Sequence, residues 1–301
     1  MKTKFSKGIL FFLVMILSAS AFGQLKKRVA VFVFEDKTDR SWRWWDGKTP
    51  GDGMADMLTT ELVKSGKYSV MERQEIARIM EEQNLGVTGR VTEQSAAKIG
   101  QLLGVELAVM GAVTEFGHAK SDKGGRVRGF GLGVSSQKAT VAVDVRFVNT
   151  STGEIIAAEN IRQEESSSGL SVSTPQVDFR NRNDFDNSLV GKATRACIEE
   201  IVGLVEKQMA VLPWEGKVIQ VSGANIFIKP GADSGVKVGD TFVVYSKGEE
   251  LIDPDTGISL GSEETRIGTI EVTAMISGGQ AARATAKSGS GFKQGDLIRL
   301  R

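Results

Sequence analysis

The sequence predicts a layered α/β domain that carries extended β-hairpins and is followed by a small all-β domain. Between residues 28 and 116, apolar runs typical of buried strands alternate with amphipathic helical stretches, an order that indicates an α/β fold. In residues 213–301, short alternating strands are separated by Gly, Pro and Asp turns, as in a small barrel or sandwich. At 301 residues the chain exceeds one typical domain, so two are expected.

The first 23 residues, 1–23, have the pattern of a secretory signal peptide. Basic side chains precede an apolar run at residues 9–17 that is too short to span a bilayer, and small residues at Ala21 and Gly23 suit cleavage before Gln24. No cysteine lies near this cleavage point, so no lipid anchor is expected there. The mature chain is therefore predicted to be exported to the periplasmic space without an acyl tether.

The α/β domain is predicted to span residues 24–212. Gly66 suits a left-handed cap at the end of the first helix, and Thr92 suits the N-cap of the third. Gly153, in the stretch NTSTGEI, supplies the positive φ of a hairpin turn. The predicted elements are a strand at 27–36, a helix at 51–66, a strand at 67–73, helices around 76–80 and 96–103, a strand at 105–116, extended hairpins from residue 117 and a long helix at 186–209.

The inventory of side chains excludes most enzyme and metal chemistry. His118 is the only histidine, so the sequence cannot supply a Ser-His-Asp or Cys-His arrangement or a multi-histidine metal site. The single cysteine, Cys197, lies within the apolar pattern of the long helix, which indicates a buried thiol. The formal net charge of +1 gives no sign of a nucleic-acid partner. We therefore predict no catalytic residue, no metal and no cofactor.

Three of the four tryptophans lie in one polar stretch, SWRWWDGKTPGDG, between the first strand and the first helix. Trp42, Trp44 and Trp45 have charged neighbours such as Arg43, whereas a buried tryptophan normally belongs to a periodic apolar pattern. This stretch is therefore predicted to contact a partner. The alternative is that the rings pack against a neighbouring subunit or against the protein's own surface.

Several motifs resemble, in order and spacing, the CsgG family of curli secretion channels: VAVFVFEDKT, MADMLTTELVKSGKYSVMERQEIARIMEEQ, GAVTEFG and RFVNTSTGEIIAAEN. The resemblance covers residues 28–212. Beyond it, GVKVGDTF and the closing GD resemble the C-terminal β domain of flagellar assembly protein T. The family resemblance implies an outer-membrane ring of identical subunits. Each subunit would donate two β-hairpins to one barrel, and the α/β domains would form a periplasmic vestibule.

In the family, a constriction loop lies between the first strand and the first helix. The resemblance therefore implies that Trp42, Arg43, Trp44 and Trp45 occupy the position that narrows an axial passage. The implied partners are further copies of the chain in a homo-oligomer, an exported unfolded polypeptide or appendage subunits, and the outer membrane.

The first predicted hairpin carries the candidate membrane-facing side chains, because a transmembrane strand needs an outward apolar band. Three of them are expected on its outgoing strand and three on its return strand. They are Phe130, Leu132 and Val134, and then Val141, Val143 and Val145.

The second predicted hairpin, residues 160–185, is rich in charges, and a lipid-facing charge would cost about 2–4 kcal/mol near the bilayer midplane. The alternative to a channel is therefore a soluble periplasmic structural protein. It would dock onto a surface appendage or cell-wall machine through the tryptophan stretch and the C-terminal β domain.

Overall fold

A computed structural model describes residues 25–38, 47–82, 92–127, 130–170, 182–252, 254 and 259–301. These residues form a mixed α/β unit followed by a closed β-barrel, which confirms the predicted fold class. The first unit contains β1 (Lys27–Val31), β2 (Glu35–Asp36), α1 (Pro50–Ser65), β3 (Tyr68–Val70), α2 (Arg73–Glu82), α3 (Glu93–Leu103), β4 (Leu107–Val127), β5 (Phe130–Asn149), β6 (Ile155–Leu170), α4 (Arg182–Asn187) and α5 (Leu189–Val211). The barrel contains β7 (Glu215–Ser222), β8 (Asn225–Lys229), β9 (Thr241–Ile252), β10 (Ser259–Met275), β11 (Ala282–Gly289) and β12 (Leu297–Arg299).

The α/β unit is built on one sheet with the strand order β3-β1-β4-β5-β6, and β2 runs beside β4. Strand β1 is parallel to both β3 and β4, whereas β4, β5 and β6 are antiparallel neighbours. Helices α1 and α5 cover one face of the sheet, and α2 and α3 cover the other. The sheet therefore has an apolar core on each side, as expected for a layered α/β arrangement.

Local sequence signals set the helix boundaries. Thr49 begins α1 with a capping box: its hydroxyl accepts the Asp52 N–H at 3.1 Å, and the Asp52 carboxylate accepts the Thr49 N–H at 3.2 Å. Gly66 ends α1 in the left-handed conformation with φ of 65°. At the start of α3, the Thr92 hydroxyl accepts the Ser95 N–H at 3.2 Å. The predicted caps at Gly66 and Thr92 are therefore confirmed.

The predicted long helix at 186–209 is interrupted near its start. Ser188 is extended, and its hydroxyl accepts the Gly191 N–H at 3.0 Å, so it ends α4 and caps α5. Gly191 also has no room for a side chain, because an ideal Cβ would lie 1.9 Å from the Phe185 carbonyl oxygen. Together Ser188 and Gly191 turn one predicted helix into two.

Cys197 lies on the buried face of α5, as predicted. Burial, together with the nearby Glu200 carboxylate, raises the pKa of the thiol to about 12. The reactive thiolate is therefore almost absent at neutral pH. We expect iodoacetamide at pH 8 to label the folded protein slowly and the protein in guanidinium chloride completely, as measured by mass spectrometry. Equally fast labelling of both would contradict burial of this thiol.

Strands β4 and β5 form one long hairpin that extends beyond the helices. They remain paired as far as Val127 and Phe130, and β6 follows β5 as far as Leu170. Gly153 has φ of 81° in the turn between β5 and β6, which confirms the predicted hairpin turn.

The structure contradicts two expectations for this hairpin. All six candidate membrane-facing residues lie on β5, because this strand runs without interruption from Phe130 to Asn149 and pairs with β4 along its whole length. In addition, Val141, Val143 and Val145 are buried in the core beneath α5. Alternation of apolar and polar residues is the pattern of any strand with one apolar face, whether a helix or lipid covers that face.

The C-terminal residues form a closed barrel with the strand order β10-β11-β8-β7-β12-β9. Its apolar core includes Trp214, which stacks on Phe242 with 5.0 Å between ring centroids. The choice between barrel and sandwich that the sequence left open is therefore decided in favour of the barrel.

Two turns of the same sequence pattern, Lys-X-Gly-Asp, lead into β9 and β12 at residues 237–240 and 293–296. In each turn the aspartate carboxylate accepts the lysine N–H, at 2.8 Å in the first and 2.7 Å in the second. The glycines, Gly239 and Gly295, have φ of 94° and 95°, which favours glycine. The motif GVKVGDTF therefore contains the first of two turns of this pattern, and each turn precedes a strand of the barrel.

A buried ion pair joins the α/β unit to the barrel. Arg28 and Glu106 are only 6% and 4% exposed, and their charged groups meet at 2.8 Å. The same carboxylate accepts the Arg28 N–H at 2.6 Å and the Glu215 N–H at 3.3 Å, and Arg28 donates to the Glu215 carbonyl. Because Glu215 is the first residue of β7, this pair belongs to both units.

Residues that precede β1 also contact the barrel. Leu25 packs against the barrel core, and the Lys26 N–H donates to the Ser234 carbonyl at 2.9 Å. On the barrel side of the same junction, Arg299 contacts the carboxylates of both Glu215 and Glu264. The first strand of the chain is therefore fixed to the last domain.

Candidate functional site

The order of the strands creates a crevice at the carboxyl end of β1. After β1, the chain passes through α1 to β3 on one side, and it later passes through α2 and α3 to β4 on the other side. In open α/β sheets, ligand sites lie at such a switch point, outside the carboxyl ends of the strands. A candidate site is therefore expected where β1 ends, around Phe32 and Val33.

A cavity of about 770 Å³ occupies this switch point. Its lining includes the buried side chains of Phe32, Met110 and Ala112, and also Val33, which is 47% exposed. Helix α2 contributes Ile76 from the opposite side. The size and the apolar wall suit a short peptide segment or a small molecule.

Two basic side chains that line the crevice are held in ion pairs. Lys48 contacts Asp56 at 2.7 Å, and Arg146 forms an ion pair with Glu93. Such partly exposed pairs contribute little to stability, but they neutralise these two cations. Within the described part of the chain, no group of three or more His, Cys, Asp and Glu side chains could hold a metal.

Helix α1 begins directly against the wall of the crevice. An ideal Cβ at Gly51 would lie 2.0 Å from the Phe34 carbonyl oxygen, and one at Gly111 would lie 3.1 Å from the Phe34 ring. Two missing Cβ atoms therefore allow the start of α1, Phe34 and β4 to pack closely. Phe34 itself is 1% exposed.

The described residues that flank the predicted tryptophan site lie at this crevice. Residues 42–45 lie outside the described residues, but the flanking residues Lys37 and Lys48 both line the cavity. The Asp36 carboxylate accepts the Thr38 N–H at 3.0 Å and its hydroxyl at 2.7 Å, which fixes the point of departure.

The six residues of the predicted membrane site fall into two groups in the structure. Phe130, Leu132 and Val134 lie on the distal part of β5, so their contact with a membrane stays a prediction. The other three predicted residues belong to the core, as described above. None of the helices within the described ranges has the length and apolarity needed to cross a bilayer.

Sequence reasoning missed two groups of residues that the fold brings together. Met110 and Arg146 reach the crevice from adjacent strands, and nothing in the local sequence marks them as neighbours of Phe32. The buried pair Arg28 and Glu106 left a visible signal, because each is a charged residue at the start of a strongly apolar run. A buried charge there requires a partner.

Comparison with protein families shows that residues 14–228 match the model described as "Curli production assembly/transport component CsgG". Among solved structures, the hypothetical protein CT253 from Chlamydia trachomatis is similar at 16% identity and a TM-score of 0.38, covering 60% of this chain and 96% of that one. Lipoprotein GNA1162 from Neisseria meningitidis is similar at 15% identity and a TM-score of 0.33, covering 61% of this chain and 98% of that one. The PelC dodecamer from Paraburkholderia phytofirmans is similar at 13% identity and a TM-score of 0.30, covering 60% of this chain and 88% of that one. No curated protein matches the chain.

Proposed function

The chain belongs to the CsgG family of curli production assembly/transport components, and from this premise we propose that it forms a homo-oligomeric ring in the bacterial envelope. Family membership supplies the coarse role, which is secretion or assembly at the envelope. The finer proposal is a non-enzymatic passage for an unfolded polypeptide, such as the subunit of a curli-type extracellular fibre. The chain would be exported by its predicted signal peptide and would act from the periplasmic side of the outer membrane.

The observation that supports this proposal is the position of the described residues on either side of the tryptophan segment. Lys37 and Lys48 both line an apolar crevice, and Lys48 and Arg146, which also lines it, form ion pairs. Trp42, Trp44 and Trp45, with Arg43, would form a collar where the family has its constriction loop. Aromatic rings beside a neutral, apolar wall can contact side chains and backbone of a passing polypeptide without selecting a sequence.

The distal hairpin is the proposed membrane contact. Strands β4 and β5 stay paired over residues 119–127 and 130–138, beyond the last core residue of β5, Ala139. A transmembrane β-strand needs about 9–11 residues, so this length is suitable. Phe130, Leu132 and Val134 are the side chains assigned to the membrane in this proposal.

A second candidate function uses the same scaffold without a pore, as a periplasmic protein that docks onto a surface appendage or cell-wall machine. It is favoured by ion pairs across the exposed side of the hairpin base. Arg162 contacts Glu115 at 2.7 Å, and Lys138 contacts Glu164 at 2.7 Å. These charges require water, so only the more distal residues can enter lipid. The tryptophan segment would then be a docking surface.

Fractionation of cells that produce the tagged full chain separates the two functions. A channel predicts protein that needs detergent, resists carbonate extraction and forms rings in negative-stain images. A monomer or dimer released with the soluble periplasm would contradict the ring and support the docking function. A crosslinker placed in the tryptophan segment would then identify the partner.

For the ring in planar bilayers, we expect Trp44→Ala and Trp45→Ala to raise the single-channel conductance, with the larger increase in the double variant. The reason is that removal of a large ring widens the narrowest point of the passage. Val238→Ala is a suitable control, because Val238 is an exposed barrel residue. Unchanged conductance in the double variant, in rings of normal size, would show that the tryptophans do not form the collar.

A further inference from the structure

The chain at the end of β1 has a neighbouring strand on one side only. On that side, the Phe32 N–H donates to the Val109 carbonyl of β4 at 2.9 Å. On the other side, the register between β1 and β3 ends at Val29, whose carbonyl accepts the Met71 N–H at 2.9 Å. Because β3 then gives way to α2, residues 31–33 form an open strand edge on the side away from β4.

Backbone groups beside this edge have no hydrogen-bond partner in the part of the chain that the structure describes. Between β1 and β2, the Phe32 N–H is the one backbone group that forms a hydrogen bond with a described residue, and both the N–H and the C=O of Val33 lack one. Phe32 and Phe34 are only 2% and 1% exposed, so water reaches them little. Buried backbone groups are almost always paired. This segment therefore offers donors and acceptors that match the backbone of another extended chain.

The space beside this edge is open and has an apolar wall. The cavity of about 770 Å³ is lined by residues 31–34 and, from α2, by Gln74, Ile76 and Ala77. Gln74, Ala77 and Val33 are exposed, so the cavity opens to solvent. Ile76 belongs to the same apolar cluster as Phe32. A chain that paired with the edge would therefore have room for its side chains against apolar groups.

The basic side chains that line the cavity already have acidic partners. Lys37 contacts Glu35 at 3.4 Å, and Lys48 and Arg146 form the ion pairs described above. An acidic side chain of a ligand would therefore leave water without gaining a free cation among the described lining residues, which is unfavourable. The cavity thus favours an uncharged segment with apolar side chains at alternate positions.

We propose that residues 31–33 bind an extended, uncharged peptide segment by β-strand addition, as an extra strand that continues the line of β3. The peptide backbone would supply the missing hydrogen bonds, and the cavity would accept its alternate apolar side chains. The natural occupant rests on the proposed function and is a segment of the exported polypeptide. Binding at the edge itself needs neither a ring nor a membrane, so it can be measured separately.

The test is titration of the mature chain with the fluorescein-labelled peptide Thr-Val-Thr-Val-Thr-Val, followed by fluorescence anisotropy. Two further peptides carry N-methyl groups, one at the Thr nitrogens and the other at the Val nitrogens. Each keeps the side chains but loses the N–H donors along one edge of the strand. We expect at least one of them to bind roughly tenfold more weakly than the parent peptide. Hydrogen exchange of residues 31–33, measured by mass spectrometry, should slow when the parent peptide binds.

A pair of protein variants locates the binding. Ala77→Trp fills the cavity from an exposed position on α2 and should weaken binding of the parent peptide by roughly tenfold or more. Ala210→Trp is the matched control, because Ala210 is exposed on α5 and does not line the cavity. It should leave binding unchanged. Equal binding by the two variants would overturn the proposal.

Three other outcomes would also overturn it. They are no binding of the parent peptide, equal binding of all three peptides, and binding that appears only when Trp44→Ala and Trp45→Ala are combined. The last outcome would assign the edge to the protein's own tryptophan segment. Failure of the proposed function looks different: a soluble monomer that binds the peptide supports the edge site and contradicts the ring. Rings that bind no peptide contradict the edge site alone.

Discussion

Replacing Glu106 by alanine is expected to lower the free energy of unfolding by about 3–5 kcal/mol. The Glu106 carboxylate accepts hydrogen bonds from the backbone and side chain of Arg28 and from the Glu215 N–H. Arg28 is only 6% exposed. Without the Glu106 carboxylate, the Arg28 guanidinium would therefore be buried without its negatively charged partner. Urea unfolding followed by circular dichroism measures the loss, and limited proteolysis between α5 and β7 reports loosening of the junction.

Two further variants identify the cause of this effect. Glu61→Ala removes an exposed partner of Lys64 and should change stability by no more than about 0.5 kcal/mol. Arg28→Met combined with Glu106→Leu removes both charges and should recover much of the lost stability, because no unpaired charge stays buried. If the single variant Glu106→Ala costs less than about 1 kcal/mol, the ion pair does not hold the two units together.

Replacing Gly51 by alanine is expected to destabilise the α/β unit by about 1–3 kcal/mol, the usual cost of overpacking. The new Cβ would lie 2.0 Å from the Phe34 carbonyl oxygen, so the start of α1 must move away from the crevice wall. Thermal unfolding measures the loss of stability. Because the tryptophan segment rejoins the fold just before α1, the same change should also alter the binding or conductance that depends on Trp44 and Trp45.

Gly203 provides the matched control for this substitution. It lies exposed within α5, and nothing lies within 4 Å of its ideal Cβ position. Gly203→Ala is therefore expected to stabilise the protein by up to about 1 kcal/mol through helix propensity alone. Opposite signs for the two substitutions would attribute the Gly51 effect to the close contact with Phe34. Equal signs would contradict that attribution.

The parts of the fold that were predicted from sequence are those fixed by short-range chemistry. Gly66, Thr92 and Gly153 each act within a few residues, through a cap hydrogen bond or a positive φ, and each lies where the sequence placed it. The order of strands and helices followed from hydrophobic periodicity for the same reason. Hydrophobic periodicity did not predict the helix boundary at Ser188, because the boundary is set by a hydroxyl that caps the following helix.

The parts that could not be predicted depend on what lies opposite each residue. Val141 and its neighbours show an apolar face, but only the path of α5 decides that this face is core. The crevice likewise requires Phe32 and Met110 to meet across separate strands. The tryptophan segment stays a prediction, which rests on three large aromatic side chains among charged neighbours.

The contacts between β1 and the barrel can form only after the barrel residues have been synthesised. Arg28 and Glu215 are 187 residues apart in the chain, yet they share a hydrogen bond. The first strand therefore emerges during synthesis long before the residues that complete its surroundings, and contacts of such long range form slowly. A chain interrupted before β7 would keep the Arg28 end of the sheet open to water and to proteases. Completion of the barrel is thus the step that closes the Arg28 end of the sheet.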